Sequence, residues 1–214
     1  MARRLVLASS SASRLRVLRL AGIEPLVVPS GVDEANARAT RPGELVLELA
    51  ERKALAVANG RDDLVLGCDS LLDLDGVALG KPETSEEALR RWRAMRGRAG
   101  ELRTGHVLVD GQTGSIVREV VSTTVHFGSP SDEELDAYIA TGEPLGVAGA
   151  FTLEGRSAPF IEGVVGDAGN VLGLSLPALR RLLGRLGLAV TELWEPAAAP
   201  PGRSPRSGGA APSS

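Results

Sequence analysis

Apolar residues fall along the chain in two patterns, short unbroken runs and stripes at helical spacing. Leu5-Val-Leu-Ala8 and Leu64-Val-Leu-Gly-Cys68 are short and aliphatic, and each stops at a polar residue, which predicts two buried strands. Pro25-Leu-Val-Val28 reads as a further strand. Leu15, Leu18 and Ala21 form a helical stripe stopped by Gly22; Val46, Ala50, Ala54 and Val57 form another after Pro42, with Gly60 just past its end. Thr84-Ser-Glu-Glu87 and Ser131-Asp-Glu-Glu134 have the spacing of capping boxes, so a helix is expected to start at each. Asp75-Gly76 separates Leu71–Leu74 from Val77–Leu79, and Asp110-Gly111 through Gly114 separates Leu102–Val109 from Ile116–Phe127; both read as hairpins, the second long. Pro177 ahead of Leu179, Leu182, Leu183 and Leu186 marks a last helix. Strands linked both by helices and by hairpins imply a mixed sheet in an α/β or α+β fold, and no internal repeat is visible.

Composition narrows this picture. A chain of 214 residues, 43% hydrophobic, can bury one sizeable core or two small lobes around a cleft. From Pro196 onward only Ala, Pro, Gly, Ser and Arg occur, too little apolar surface to offset ordering, so the expected division is a folded domain over 1–195 and a disordered tail over 196–214. A formal charge of −3 gives no global field for a nucleic-acid polymer, so any phosphate chemistry must rest on local cations. The single cysteine, Cys68, and the lack of zinc-ligand spacing fit a reducing cytoplasm. Arg3 and Arg4 precede too short an apolar stretch for a signal peptide or a membrane span.

Several polar residues interrupt these patterns, and each has two readings. Ser9, Ser10, Ser11, Ser13 and Arg14 gather where the first strand meets a helix, as ordinary caps or as a phosphate site on the helix N-terminus. No Walker loop is present. Lys53 lies on the apolar stripe of its own helix, so its ammonium either snorkels to water or points into a phosphate site. Asp69 follows the most apolar run and should sit at a strand's C-terminal end, as an Asx turn or as a base or metal ligand. Lys81, in Gly80-Lys81-Pro82, is a surface lysine or a cation held by a rigid turn; Glu34 is a solvated loop acid or a magnesium ligand. His106 and His126 lack ligand spacing and read as structural, while Trp92 with Ala88 and Met95, like the face of Leu182 and Leu186, reads as core or dimer contact.

Taken in order, these segments resemble the Maf family of nucleotide pyrophosphatases. Leu7-Ala-Ser9-Ser10-Ser11-Ala-Ser13-Arg14 is similar to the family's L-A-S-x-S-P-R-R opening, followed at similar distances by Val32-Asp-Glu34, Lys53-Ala54, Gly67-Cys-Asp69-Ser70 and Gly80-Lys81-Pro82. Thr104-Gly105, Gly142-Glu-Pro144, Ala148-Gly-Ala-Phe151, Glu154-Gly155 and Asn170-Val-Leu-Gly-Leu174 extend the match, from about Leu5 to Leu186. The resemblance implies an elongated, two-lobed Maf/ITPase-like fold with a cleft between the lobes, commonly a homodimer. It implies hydrolysis of nucleoside triphosphates to monophosphate and pyrophosphate with Mg²⁺ or Mn²⁺. Asp69 then corresponds to the proton acceptor; Ser9, Ser11, Arg14, Lys53 and Lys81 to the phosphate region; Glu34 with Asp69 to the metal ligands. Ala12 and Ser13 replace the family's Pro-Arg and remove a guanidinium. The positions matching Ser13, Ser70 and Glu154 separate family branches for dTTP and UTP from one for 7-methylguanosine triphosphate; Glu154 resembles the latter, and Ser13 and Ser70 match neither. The family's association with septum formation implies an alternative, a nucleotide-binding regulator of cell division without turnover.

Overall fold

The computed structural model describes residues 3–194; the expected tail from Pro196 lies outside them. Seven strands form one mixed sheet in the order β2-β1-β3-β5-β6-β7, with β4 also paired to β3. Strands β1 (Leu5–Leu7), β2 (Leu26–Val27) and β3 (Leu64–Leu74) are mutually parallel where they pair. The rest, β4 (Val77–Leu79), β5 (Ala99–Asp110), β6 (Ile116–Phe127) and β7 (Ile161–Val165), pair antiparallel. The helices are α1 (Ala12–Leu20), α2 (Pro42–Ala58), α3 (Ser85–Met95), α4 (Asp132–Ile139), α5 (Ala168–Val171) and α6 (Leu176–Arg185). None among the described residues is long and apolar enough to cross a membrane.

One strand expectation fails in an informative way. The run from Leu64 does not end at Cys68: β3 continues through Asp69 and Ser70 to Leu74, because β5 pairs with it without a break from Leu64 to Asp73. Asp69 is therefore mid-strand. On the opposite edge β1 partners β3 only at Leu64–Leu66 and β4 only at Leu72–Leu74. Between them, residues 67–71 have no strand partner on that edge among the described residues. A polar residue in the middle of an apolar strand marks this gap, which opens just beyond the carboxyl end of β1.

Alternation along β3 sends successive side chains to opposite faces. Leu64, Leu66 and Cys68 pack with Leu5, Leu7 and Leu108 under α1 and α6. Farther along that face Leu72, Leu74 and Leu102 pack with Trp92, Met95, Leu135 and Tyr138 of α3 and α4. Helices on one face thus form two groups with a polar band between them. Val6, Val65 and Val107 face the other way onto Ala50, Ala54 and Val57 of α2. Helix and sheet come into backbone contact there: a Cβ on Gly67 would run into the Ala50 carbonyl, and one on Gly105 into the Val46 carbonyl. These two glycines set α2 directly over β3 and β5, which fixes where Lys53 stands.

Local signals explain most helix ends. Ser11, Thr84, Ser131 and Ser175 cap α1, α3, α4 and α6, each accepting from a backbone N–H of the first turn. The Ser131 box closes reciprocally, whereas the Thr84 box does not, because the Glu87 carboxylate accepts from the Glu83 N–H and pairs with Arg91 instead. Gly22 and Gly60 follow α1 and α2 at positive φ. Trp92 and the Leu182 face are core, while Leu186 packs at its margin. His106 is buried and His126 exposed.

Candidate active site

The gap on β3 opens into a cavity of about 930 Å³, walled by Ala8–Arg14, the loop from Pro29, α2, Asp69–Leu71, Gly80-Lys81, the segment from Gly146 and Val171–Gly173. Ser9, Ser11, Ser13, Arg14, Glu34, Lys53, Asp69, Ser70 and Lys81 all line it. The structure does not bring Glu154 with them: it pairs with Arg16 of α1, outside the cavity lining.

Lys53 decides between its two readings by geometry. Its ammonium lies 2.5 Å from Asp69 Oδ1 and 2.6 Å from Glu34 Oε1, and its side chain is 11% exposed. It turns to carboxylates inside the cleft rather than out to water. Burial pushes the Asp69 carboxyl above the usual aspartate range; Lys53 and Arg14 oppose that shift and Glu34 adds to it. A basic carboxylate close to an apolar wall results. Neighbouring Cys68 is a buried thiol, pushed up to about 11 by desolvation, and is inert.

Arg14 is held differently. Its Nε donates to the Gly173 carbonyl at 2.8 Å, Nη1 to Ser9 Oγ at 3.0 Å and Nη2 to Ser70 Oγ at 3.1 Å. All three acceptors are neutral, so the positive charge is uncompensated and further N–H donors remain. Ser9 Oγ also accepts from the Ser11 N–H, which fills its lone pairs and leaves its own hydrogen for a ligand. Ser11 caps the same helix. Lys81 is exposed and without an ion pair among the described residues. Its turn is nonetheless fixed, since the Gly80 carbonyl accepts from Arg91 Nη1 at 2.6 Å and from the Gly149 N–H at 3.0 Å.

Three contributors make contacts that the sequence pattern does not specify. The polar band behind Arg14 runs from Ser70 to Thr104 at 2.9 Å and from Thr104 to the Asn170 carbonyl at 3.1 Å. Asn170 Nδ2 donates to Leu102 O, Val121 O and Thr123 Oγ1, tying the loop that carries Gly173 to β5 and β6. Between the lining residues Ala148 and Phe151, buried Ala150 takes a positive φ of 63°, its carbonyl accepting from Trp92 Nε1 at 2.8 Å and Tyr138 Oη at 3.1 Å. The Thr104-Gly105, Ala148–Phe151 and Asn170–Leu174 motifs cover these positions, but none of them specifies a contact.

The Maf-like protein family model matches residues 4–186, a span that contains every residue of this cavity. The chain belongs to that family. A Maf relative from Streptomyces coelicolor is 61% identical over 198 residues, covering 91% of this chain and 96% of the relative; one from Streptomyces avermitilis is 59% identical over 197 residues with the same coverage. Both are named nucleoside triphosphate pyrophosphatase. Among solved structures, a HAM1 protein from Coxiella burnetii is a distant likeness, 17% identical over 86% of this chain and 99% of its own, with a TM-score of 0.43.

Proposed function

We propose that this Maf protein hydrolyses nucleoside triphosphates to nucleoside monophosphate and pyrophosphate, with Asp69 as general base. The observation that carries the reading is the convergence on one cavity of a buried carboxylate with raised proton affinity and three cations, Arg14, Lys53 and Lys81. Water attacking the α-phosphorus must lose a proton, and Asp69 accepts it. Charge develops on the departing pyrophosphate, and Arg14, with the Ser9 hydroxyl and the N-terminus of α1, stabilises it from a fixed position. Lys81 reaches in from the facing turn. The names of the relatives support the same reaction.

The residues present fit a divalent ion. Two carboxylates, Glu34 and Asp69, converge on one cation position, and no group of three metal-binding side chains occurs among the described residues. That donor set suits Mg²⁺, or Mn²⁺ in its place, which keeps water ligands and takes substrate phosphates rather than a full protein cage. Bound there, it would supply further positive charge to the phosphates. Ser13 and Ser70 line the cavity beside Arg14, which supports a part for them in nucleotide choice.

Pyrophosphate release by purified protein over a panel of canonical and modified triphosphates tests the reading. Asp69→Asn should lower kcat by about a hundredfold or more with the fold retained. Full activity in that variant would remove Asp69 from the role. Nucleotide binding with no pyrophosphate released by the unaltered chain would make it a regulator instead.

A further inference from the structure

Lys53 stands where a metal ion would have to stand. The point onto which Asp69 Oδ1 and Glu34 Oε1 both converge is filled by its ammonium, at 2.5 and 2.6 Å. A magnesium ion sits about 2.0–2.1 Å from its oxygen ligands, so ammonium and metal cannot share the position. Free metal would have to displace a buried, doubly paired ammonium and would gain two carboxylates in return. A metal carried in on a triphosphate has a different balance. Phosphate oxygens complete its ligand set, and the same phosphates offer the displaced ammonium a new anion.

Mobility is divided in a way that suits such an exchange. Asp69 is fixed on β3, but Glu34 lies on a loop with its side chain 57% exposed, and Lys53 carries its ammonium on a four-carbon stem whose donors rotate. We propose that Lys53 holds the metal position closed in the nucleotide-free protein, so that the divalent ion loads only as its complex with the nucleotide, and Lys53 then turns from the carboxylates to the phosphates. This rests on the pyrophosphatase reading above and adds the order of loading to it.

The test uses Mn²⁺ alone, titrated calorimetrically into the nucleotide-free, full-length protein. The unaltered chain should bind it weakly, and Lys53→Met and Lys53→Gln at least tenfold more tightly. Adding Glu34→Gln to either variant should abolish the gain. Equal Mn²⁺ affinity with and without Lys53 overturns the proposal. Should both variants fail to fold, the unaltered chain still decides the matter by thermal melting. Mn²⁺ alone should leave its Tm unchanged at concentrations where Mn²⁺ plus a non-hydrolysable triphosphate analogue raises it; an equal rise from Mn²⁺ alone overturns the proposal. Pyrophosphate release against metal concentration is measured separately. No release from any triphosphate breaks the functional reading, whereas release that needs no metal, or metal-dependent release with unchanged Mn²⁺ affinities, breaks only the loading order.

Discussion

Arg14 and Lys53 are both buried cations in the same cavity, and they are held by opposite chemistry. Arg14 is gripped by two hydroxyls and a carbonyl, all neutral, and so presents a whole charge from a rigid frame. Lys53 is gripped by two carboxylates, so its charge is more than cancelled until something else takes those oxygens. The contrast follows residue type. A planar guanidinium with several donors can be fixed by neutral acceptors in set directions, while an ammonium on a long stem is a point charge that follows its anion. On the proposed function, one cation meets phosphate from a fixed position, and the other has to leave its carboxylates to do so.

The largest effect should come from leaving one side of the Lys53 cluster unpaired. Lys53→Met strands the Asp69 carboxylate in a buried site, and losing one partner of such a pair costs about 3–5 kcal/mol. Urea unfolding at pH 7 should show that loss, and adding Asp69→Asn to the variant should recover most of it. Arg14→Met leaves only neutral acceptors behind and should cost less, with no recovery from any carboxylate substitution. Similar losses for the two variants, or no rescue by Asn, would erase the distinction.

His106 reports the Arg14 side. Its Nε2 accepts from the Ser175 N–H at 2.9 Å, so the ring is neutral with its proton on Nδ1, directed at the Thr104 carbonyl. Burial first, and the Arg14 charge second, push its pKa from 6.5 down to about 4. Below about pH 6.5 the unfolded chain takes up a proton that the folded one refuses, so stability falls with pH across the window from 6.5 to 4. The full loss is about 3 kcal/mol. Denaturation of the unaltered chain against His106→Gln should show that much less acid sensitivity in the variant. Arg14→Met should move the His106 transition upward; an unmoved transition would mean that the Arg14 charge is already neutralised.

Arg14→Lys keeps the charge and removes the frame. One ammonium cannot satisfy Gly173, Ser9 and Ser70 together and still face the departing pyrophosphate, so kcat/KM should drop by about ten- to hundredfold, chiefly through kcat. Unchanged kinetics would show that charge alone matters at this position.

How far this contrast was legible in the sequence depends on range. Capping serines, glycine stops and aliphatic runs are local, and they located the helices and strands. Lys53 stood out because a lysine interrupted an apolar stripe, yet the spacing could not say whether it met water or anions; the Gly67 and Gly105 contacts that set α2 over Asp69 settle that, and they join segments far apart in the chain. Asp69 reads as a strand end because the apolar run stops at it, while the pairing that continues the strand comes from β5, where Gly105 lies opposite it about 36 residues later. Glu154 enters the sequence reading by resemblance alone, and nothing local to it points to its partner Arg16, far away in the chain. The polar band behind Arg14 depends on hydroxyls that look like ordinary strand residues.

That band supplies the smallest expected effect and the finest test of the comparison. Thr104 is fully buried and donates its one hydroxyl hydrogen to the Asn170 carbonyl. In the 2.9 Å contact with Ser70, therefore, Ser70 must be the donor, which leaves only lone pairs on Ser70 to face Arg14 Nη2. The hydrogens are thus ordered from Arg14 through Ser70 and Thr104 to Asn170. Thr104→Val preserves shape and strand propensity but removes the acceptor that turns the Ser70 hydrogen away from the guanidinium. One neutral hydrogen bond is worth about 1 kcal/mol, so kcat should fall about three- to tenfold with KM little changed, and Thr104→Ser should restore it. A rise in KM instead, or no rescue by Ser, would mean that the band supports the sheet rather than the aim of Arg14. Lys53, held by charge rather than by oriented hydroxyls, should keep its Mn²⁺ behaviour unchanged in the same variant.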